Sequence, residues 1–362
     1  MANQNIGTPR FIVDYIQYFH VNGLAKTNYS TSNHYFWNAP SPYNSDTQET
    51  VNIVSSLIGL NPTSDFAFTG VNNASTDGYN MIIRMDKSFP VHDCNIVGLL
   101  GHNIATTGGD TGFAYHYVTD DDGDGVADDS HWAYANLTDD FQVNVTRGGT
   151  RFSVDYDGFS FCSCDGSNYP NEVHGNIEPN IRNVPNHTTA TYKPGSVLWG
   201  RYYDMPHSPE LSLTMSHEYD GIKKQETAGG STLSYANYYK SPDWGDLQAW
   251  QLGGWDRKYS GRRVWDLTFN HLSDSDLEPY HYNIDSNSGH SSWKDNWFTN
   301  VLHYTNGGQL PFIFCPDPSI GYLDSTWTIP EFAICRFDMK TFKKEQVANG
   351  IYNIKVKIKE SW

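Results

Sequence analysis

The alternation of apolar and polar positions predicts short strands separated by turns along most of the chain. Apolar stretches recur with Gly, Asn and Asp between them, at the spacing of about 8–12 residues that is typical of a β-sandwich or barrel. The strand-like segments are residues 10–15, 79–85, 95–101, 199–203, 211–215 and 262–269. We therefore expect an all-β fold.

The clearest predicted strand lies at the C-terminus. Between Tyr352 and Lys359, apolar residues alternate with one asparagine and three lysines. Because successive side chains in a strand point to opposite faces, one face is expected in a core. The lysine face is expected in water or against an acidic partner.

One segment has helical rather than strand spacing. Trp293, Trp297 and Val301 recur every four residues, which places them on one face of a helix. A serine at 291 or 292 can cap its start, and glycines follow at 307–308. We interpret this aromatic stripe as core packing.

Turn signals and proline content predict the domain organisation. Two glycines at 148–149 separate strand-like segments and predict a hairpin. The stretch 168–194 is poor in apolar residues and carries four prolines. We place a boundary near residue 190, which predicts two β-sandwich or jelly-roll-like domains with short helical insertions, residues 1–190 and 191–362.

Composition and charge narrow the function classes. The 362 residues are 15% aromatic and 18% charged, with 31 Gly and 24 Tyr, a mixture that suits strands and turns. There are 41 acidic and 24 basic residues, which gives a net charge of −17 and disfavours nucleic acid as a partner. We found neither a signal peptide nor an apolar run of membrane-helix length, so we expect a soluble protein, made in the cytoplasm and not inserted in a membrane.

The five cysteines do not form a recognisable metal-binding pattern. Cys162 and Cys164 form a C-x-C pair, and no second pair follows at zinc-finger spacing. We therefore expect free thiols that are buried or carried on strands.

An acidic segment at 120–129 is the strongest ligand signal. Counted from Asp120, carboxylates occupy positions 1, 3, 5 and 9, a glycine occupies position 6, and position 7 offers a backbone carbonyl. This pattern resembles calcium loops of the EF-hand, dockerin and thrombospondin type 3 kinds, but His131 stands where the last acidic ligand is usual. The candidate Ca²⁺ ligands are Asp120, Asp122, Asp124, Val126 and Asp128. The alternative is a solvated acidic hairpin tip.

Aromatic residues among polar neighbours suggest a second kind of site. Trp37, Tyr43, Trp132 and Tyr134 are expected in loops, where aromatic rings can stack on a host glycan. The alternative is that these rings pack over the ends of the sandwich.

Catalytic motifs were not found. The chain has no G-x-S-x-G and no H-E-x-x-H, and the segment 229–231 lacks the lysine of a phosphate-binding loop. The carboxylate pair of a glycosidase has no fixed spacing, so no pair is assigned. We expect a protein that is not an enzyme.

Several segments carry a resemblance to phage proteins. Residues 93–104 (DCNIVGLLGHNI) resemble a strand and turn of galactose-binding-like, or discoidin-like, β-sandwich domains of phage tail-associated proteins. Virion structural proteins of tailed bacteriophages resemble the chain at residues 202–211, 261–267, 310–314 and 332–338. The resemblance brings no known catalytic residue with it.

The resemblance implies a non-enzymatic structural protein of the virion, in the tail or baseplate, assembled in the host bacterial cytoplasm. It would act as a homo-oligomer and through contacts with other virion proteins. The alternatives are a host-glycan receptor module, a capsid decoration protein and a virion glycan depolymerase. Aromatic and arginine side chains anchor many interfaces, and the candidates, equally plausible as core residues, are Trp255, Arg257, Arg262 and Trp362.

Overall fold

A computed structural model describes eighteen segments of the chain. They are residues 6–22, 36–39, 59–60, 68–69, 80–83, 96–100, 112–119, 129–135, 159–163, 180–182, 191–192, 196–218, 222–236, 262–279, 296–319, 321–324, 327–330 and 332–361. Within these segments the chain is all-β: it forms antiparallel sheets and contains little helix. This confirms the fold class predicted from the apolar pattern.

The strands of the described segments are β1 (Arg10–Asp14), β2 (Phe36–Ala39), β3 (Phe68–Thr69), β4 (Asn80–Ile83), β5 (Ile96–Leu100), β6 (Gly112–Thr119), β7 (Asp129–Ala135), β8 (Phe159–Ser163), β9 (Asn180–Arg182), β10 (Thr191–Tyr192), β11 (Ser196–Asp204), β12 (Thr214–Glu218), β13 (Ile222–Glu226), β14 (Thr232–Ala236), β15 (Arg262–Ser273), β16 (Phe312–Cys315), β17 (Gly321–Asp324), β18 (Trp327–Pro330), β19 (Ala333–Phe337), β20 (Lys344–Ala348) and β21 (Ile351–Glu360). The helices are α1 (Tyr15–Val21), α2 (Asp274–Leu277) and a π-helix (Phe298–His303).

One large sheet organises most of these strands. Its order is β12-β15-β21-β19-β16-β1-β11-β5-β8, and β20 adds to β21 beside β19. All the pairings within it are antiparallel, and β15 with β21 forms its longest pairing, from Val264 opposite Lys359 to Ser273 opposite Ile351. Strands from before and after residue 190 share this sheet. The domain boundary near residue 190 stays a prediction.

The remaining strands form smaller sheets. Five strands pair in the order β2-β4-β9-β6-β7, and β3–β10, β13–β14 and β17–β18 form two-stranded sheets. The predicted hairpin at 148–149 lies outside the described residues. Every helix within the described segments is too short or too polar to span a bilayer.

The C-terminal strand β21 behaves as its alternation predicts. Ile354, Val356 and Ile358 are buried, while Lys355 is exposed and the neighbouring lysines are half-buried. The strand lies between β15 on one side and β19 and β20 on the other. It is therefore an interior strand, and its polar face meets acidic side chains of this same chain.

Three cross-strand ion pairs cover that polar face. Lys355 pairs with Asp266 at 3.4 Å, Lys357 pairs with Asp338 at 2.6 Å, and Lys359 pairs with Glu218. Hydrogen bonding to the Asp338 carboxylate raises the pKa of Lys357. Exposed pairs of this kind contribute about 1 kcal/mol or less each, so they select the register of the strands more than they stabilise the sheet.

The core lies where the central strands are buried on both faces. All four residues of β16 and the last four of β1 are buried. An aromatic cluster fills this region: the ring centroids of Phe11 and Trp297 are 4.7 Å apart, those of Phe312 and Phe337 are 4.5 Å apart, and those of Trp265 and Phe314 are 5.1 Å apart. Aromatic pairs at these distances stabilise a core beyond the area that they bury.

A close backbone contact fixes how β11 passes the end of β1. A side-chain methyl on Gly200 would overlap the carbonyl oxygen of Val13. Only glycine fits here without a shift of one strand. The chain can therefore turn directly from β1 into α1 while both remain against β11.

The predicted helix around Trp297 is present in its described part as a π-helix. Asn296 caps it, since the Asn296 carboxamide oxygen accepts a hydrogen bond from the backbone N–H of Thr299 at 2.8 Å. Trp297 and Val301 are fully buried, which confirms the interpretation of the stripe as core packing. The π-helix ends at His303, and a turn leads to glycines 307–308, whose φ angles are +67° and +90°. The predicted serine caps and Trp293 lie outside the described residues.

One strand begins later than predicted. The segment 211–215 was expected to be a strand, but β12 begins at Thr214. Leu211 is fully exposed and lies in a bend, so this apolar side chain does not belong to the buried face of a strand. The other strand-like segments near 12, 82, 98, 201 and 265 overlap β1, β4, β5, β11 and β15, and the last two strands are longer than predicted.

Candidate assembly surface

The edge strand β12 forms one border of the large sheet. It pairs with β15 from Thr214 opposite Asp266 to Glu218 opposite Arg262, and no second strand pairs with it among the described residues. Four of its five residues are exposed, including Met215. An edge of this kind presents unpaired backbone groups to which another chain can add.

A β-hairpin follows this edge after three residues. Strands β13 and β14 pair only with each other within the described segments, from Ile222 opposite Ala236 to Glu226 opposite Thr232. Residues 223–234 are all exposed, so neither face of the hairpin is covered along these residues. We call residues 222–236 the arm.

The tip of the arm is closed by its own hydrogen bonds. The backbone N–H of Thr227 donates to the carbonyl of Ser231, and that of Gly230 donates to the carbonyl of Thr227, both at 2.8 Å. The Thr227 hydroxyl accepts a further bond from the N–H of Ser231 at 3.0 Å. Gly230 has a φ of +77°, which glycine adopts without strain. The loop therefore sets the register of the arm locally.

The large sheet that contains β12 is held by a buried ion pair. Glu360 at the end of β21 accepts hydrogen bonds from the backbone N–H, Nε and Nη2 of Arg263, at 2.9, 3.2 and 3.1 Å. The Glu360 side chain is only 2% exposed. A buried carboxylate satisfied in this way is costly to disturb, so β15, which carries the edge strand, is firmly fixed to β21.

Buried polar side chains at α1 and the π-helix form hydrogen bonds with backbone groups. The Asp14 carboxylate accepts from the N–H of Ile16 at the start of α1, and the Thr305 hydroxyl donates to the carbonyl of Val301 at 2.7 Å. Their hydrogen bonds cap and close helix ends. This arrangement explains their burial.

Tyr18 of α1 and His303 of the π-helix are in contact. The Tyr18 hydroxyl lies 3.1 Å from Nε2 of His303. Burial raises the pKa of Tyr18 and lowers the pKa of His303, and both shifts favour neutral side chains. The Tyr18 hydroxyl and the His303 ring can form a hydrogen bond in which either one is the donor. Both side chains stay uncharged at neutral pH.

The predicted calcium ligands lie outside the described residues, at positions 120, 122, 124, 126 and 128. Their flanking strands are described: β6 and β7 pair along their length, and Thr119 lies opposite Asp129. The acidic segment therefore connects two paired antiparallel strands. Among the described side chains, no group of three His, Cys, Asp or Glu residues lies close enough to hold a metal ion.

Three of the four predicted glycan-binding residues lie in strands, which corrects their assignment to loops. Trp37 lies in β2, and Trp132 and Tyr134 lie in β7. These strands are the two opposite borders of the five-stranded sheet. Tyr43 lies outside the described residues. The backbone thus does not bring Trp37 beside the other two, because strands β4, β9 and β6 separate them.

Of the predicted interface anchors, the structure describes one. Arg262 opens β15 opposite Glu218 and is half-buried. Trp255, Arg257 and Trp362 lie outside the described residues. The predicted free thiols are confirmed for Cys315 and Cys335, which are unpaired and buried.

The arm was missed by the sequence analysis, although a signal for it exists. Glycines 229–230 stand between two short polar strands, the same turn signal that predicts a hairpin at 148–149. The flanking segments are short and rich in lysine, glutamine, serine and threonine, and only Leu233 and Tyr235 of β14 alternate with polar residues. Two apolar positions are too few for the alternation by which half-buried strands are found.

No protein-family model, curated protein or solved structure matches the chain. Its function is therefore inferred from its residues and their geometry.

Proposed function

We propose that this chain is a non-enzymatic structural protein of a tailed-phage virion, located in the tail or baseplate. It works through contacts with copies of itself and with other virion proteins. The proposal retains two β-sandwich units, residues 1–190 and 191–362, the first of the galactose-binding-like kind. In it, β1 and β5 of the first unit pair with strands of the second, and β8 pairs with β5.

The arm is the observation that carries this proposal. A two-stranded hairpin without a covered face is marginally stable in water, and residues 223–234 are all exposed. Contact with a neighbouring protein gives such a hairpin the burial that its own chain does not. Together with the exposed edge strand β12, it offers a strand edge and an uncovered hairpin to which a neighbouring protein can add.

The test is the protein content of purified particles. Particles of a tailed phage whose genome encodes this chain are banded on a density gradient. Peptides of this chain are then quantified by mass spectrometry. We expect several copies per particle, and threefold or sixfold copies about the tail axis in particle images. Absence of the chain from washed particles would contradict the proposal, as would turnover of host polysaccharide by the purified chain.

Calcium at the acidic segment is a second part of the proposal. Ca²⁺ held by oxygen ligands between β6 and β7 would brace the connection between these paired strands. Millimolar Ca²⁺ is then expected to raise the melting temperature by about 2 °C or more. The Asp122→Ala and Asp124→Ala double variant removes two carboxylate ligands and is expected to lose this increase. An equal increase with Mg²⁺, or none with Ca²⁺, would contradict a calcium site.

A further inference from the structure

The arm carries a positive charge on a strongly acidic protein. Lys223 and Lys224 are neighbours on β13, and both are exposed. Because successive strand residues point to opposite faces, each face of the arm presents one ammonium group. Exposed Glu226 lies on the Lys224 face, so only the Lys223 face has a net positive charge. Neither lysine makes an ion pair within the part of the chain that the structure describes. The whole chain has a net charge of −17.

One face of the arm adds an apolar group beside the charge. Leu233 lies opposite Gln225, and Lys223 precedes Gln225 by two residues on the same face. The Leu233 side chain is 58% exposed. A partner that covers this face would bury Leu233 and contact Lys223. An apolar contact bordered by a polar group is the usual arrangement of an interface core and its rim.

We propose that the arm docks on an acidic surface of a second copy of this chain. This inference rests on the proposed assembly function and names the partner of the arm. Charge complementarity is its basis: each copy has 41 acidic and 24 basic residues, so whole copies repel each other, and the positive Lys223 face of the arm offsets part of this repulsion. Leu233 supplies the apolar contact, and Lys223 on the same face supplies the attraction.

Sedimentation velocity of the purified full-length chain tests the inference. We expect a concentration-dependent mass above that of one copy. The association should weaken between about 50 mM and about 500 mM NaCl, because salt screens contacts between exposed charges.

The decisive variant reverses the charge of the arm. Lys223→Glu with Lys224→Glu is expected to weaken self-association by about tenfold or more, since like charges then face each other across the contact. Lys340→Glu with Lys343→Glu is the matched control, because these lysines are also exposed and lie outside the arm. Both double variants change the net charge equally. The control is expected to differ from the original chain by less than about threefold.

A milder pair of variants separates charge from folding. Lys223→Gln with Lys224→Gln removes the charge without reversing it, and Leu233→Ser removes the apolar contact. Both are expected to weaken association while leaving the melting temperature unchanged, because the substituted side chains are exposed.

Two results would overturn the inference. One is equal weakening by the arm and control variants, which would show a general effect of net charge. The other is a chain that stays monomeric at all concentrations and salt levels tested. Neither result decides the proposed virion function, which is tested separately by the presence of the chain in purified particles.

Discussion

Strands β16 and β14 show how differently two parts of this chain are covered. All four residues of β16 are buried, and its phenylalanines pack against Phe11, Trp265 and Phe337. In β14, residues 232–234 are exposed, and the strand pairs only with β13 among the described residues. The first region determines whether the chain folds, and we propose that the second determines what the folded chain binds. Substitutions should therefore divide into two groups, those that change stability and those that change association.

The largest effect is expected at the centre of the packed region. Trp297 is fully buried against Phe11 and Phe337, so Trp297→Ala should lower the free energy of unfolding by about 3–5 kcal/mol. Urea denaturation followed by circular dichroism measures it. The indole nitrogen has no hydrogen-bond partner among the described residues, so Trp297→Phe should cost much less. Equal costs for the two variants would contradict the packing account.

The buried ion pair is expected to come next. Glu360→Gln removes the charge that Arg263 faces and leaves a largely buried guanidinium without its carboxylate partner. We expect a loss of about 3 kcal/mol in the free energy of unfolding. Lys355→Gln, at the exposed pair with Asp266, is the control and should cost less than about 1 kcal/mol. Similar costs at the two sites in urea denaturation would show that burial is not what matters here.

Alkaline pH should weaken the packed region by a smaller amount. Burial raises the pKa of the Cys315 thiol from 9.0 to about 12. Between these values the unfolded chain loses this proton and the folded chain keeps it, so stability falls as pH rises. One thiol contributes at most about 1.4 kcal/mol per pH unit. Cys315→Ala should reduce the slope of unfolding free energy against pH above 9, and an unchanged slope would contradict the shift.

The smallest effect on stability is expected in the arm. Leu233→Ser changes a side chain that is exposed in the folded protein, so the free energy of unfolding should change by less than about 0.5 kcal/mol. Urea denaturation of this variant beside Trp297→Ala sharpens the comparison between the regions. A loss of 2 kcal/mol or more, about half the expected core effect, would mean that the arm is packed against its own chain.

Hydrophobic alternation located the parts of the fold that bury one face or two. It placed β21, with the buried residues Ile354, Val356 and Ile358, and it placed Trp297 in the core. It did not locate the start of β12, where Leu211 is apolar but exposed. Trp37, Trp132 and Tyr134 were expected in loops because their neighbours are polar, although they lie in strands.

By itself, the sequence determined the fold class and the strands whose faces differ in polarity, because burial selects the side chains directly. Tertiary structure decided which strands are neighbours. The pairing of β1 with both β11 and β16 joins segments about 190 and 300 residues apart, and no local pattern encodes such a distance. It also decided that the lysines of β21 meet Asp266, Asp338 and Glu218, and that the arm stays uncovered, because contact and exposure depend on where the rest of the chain lies.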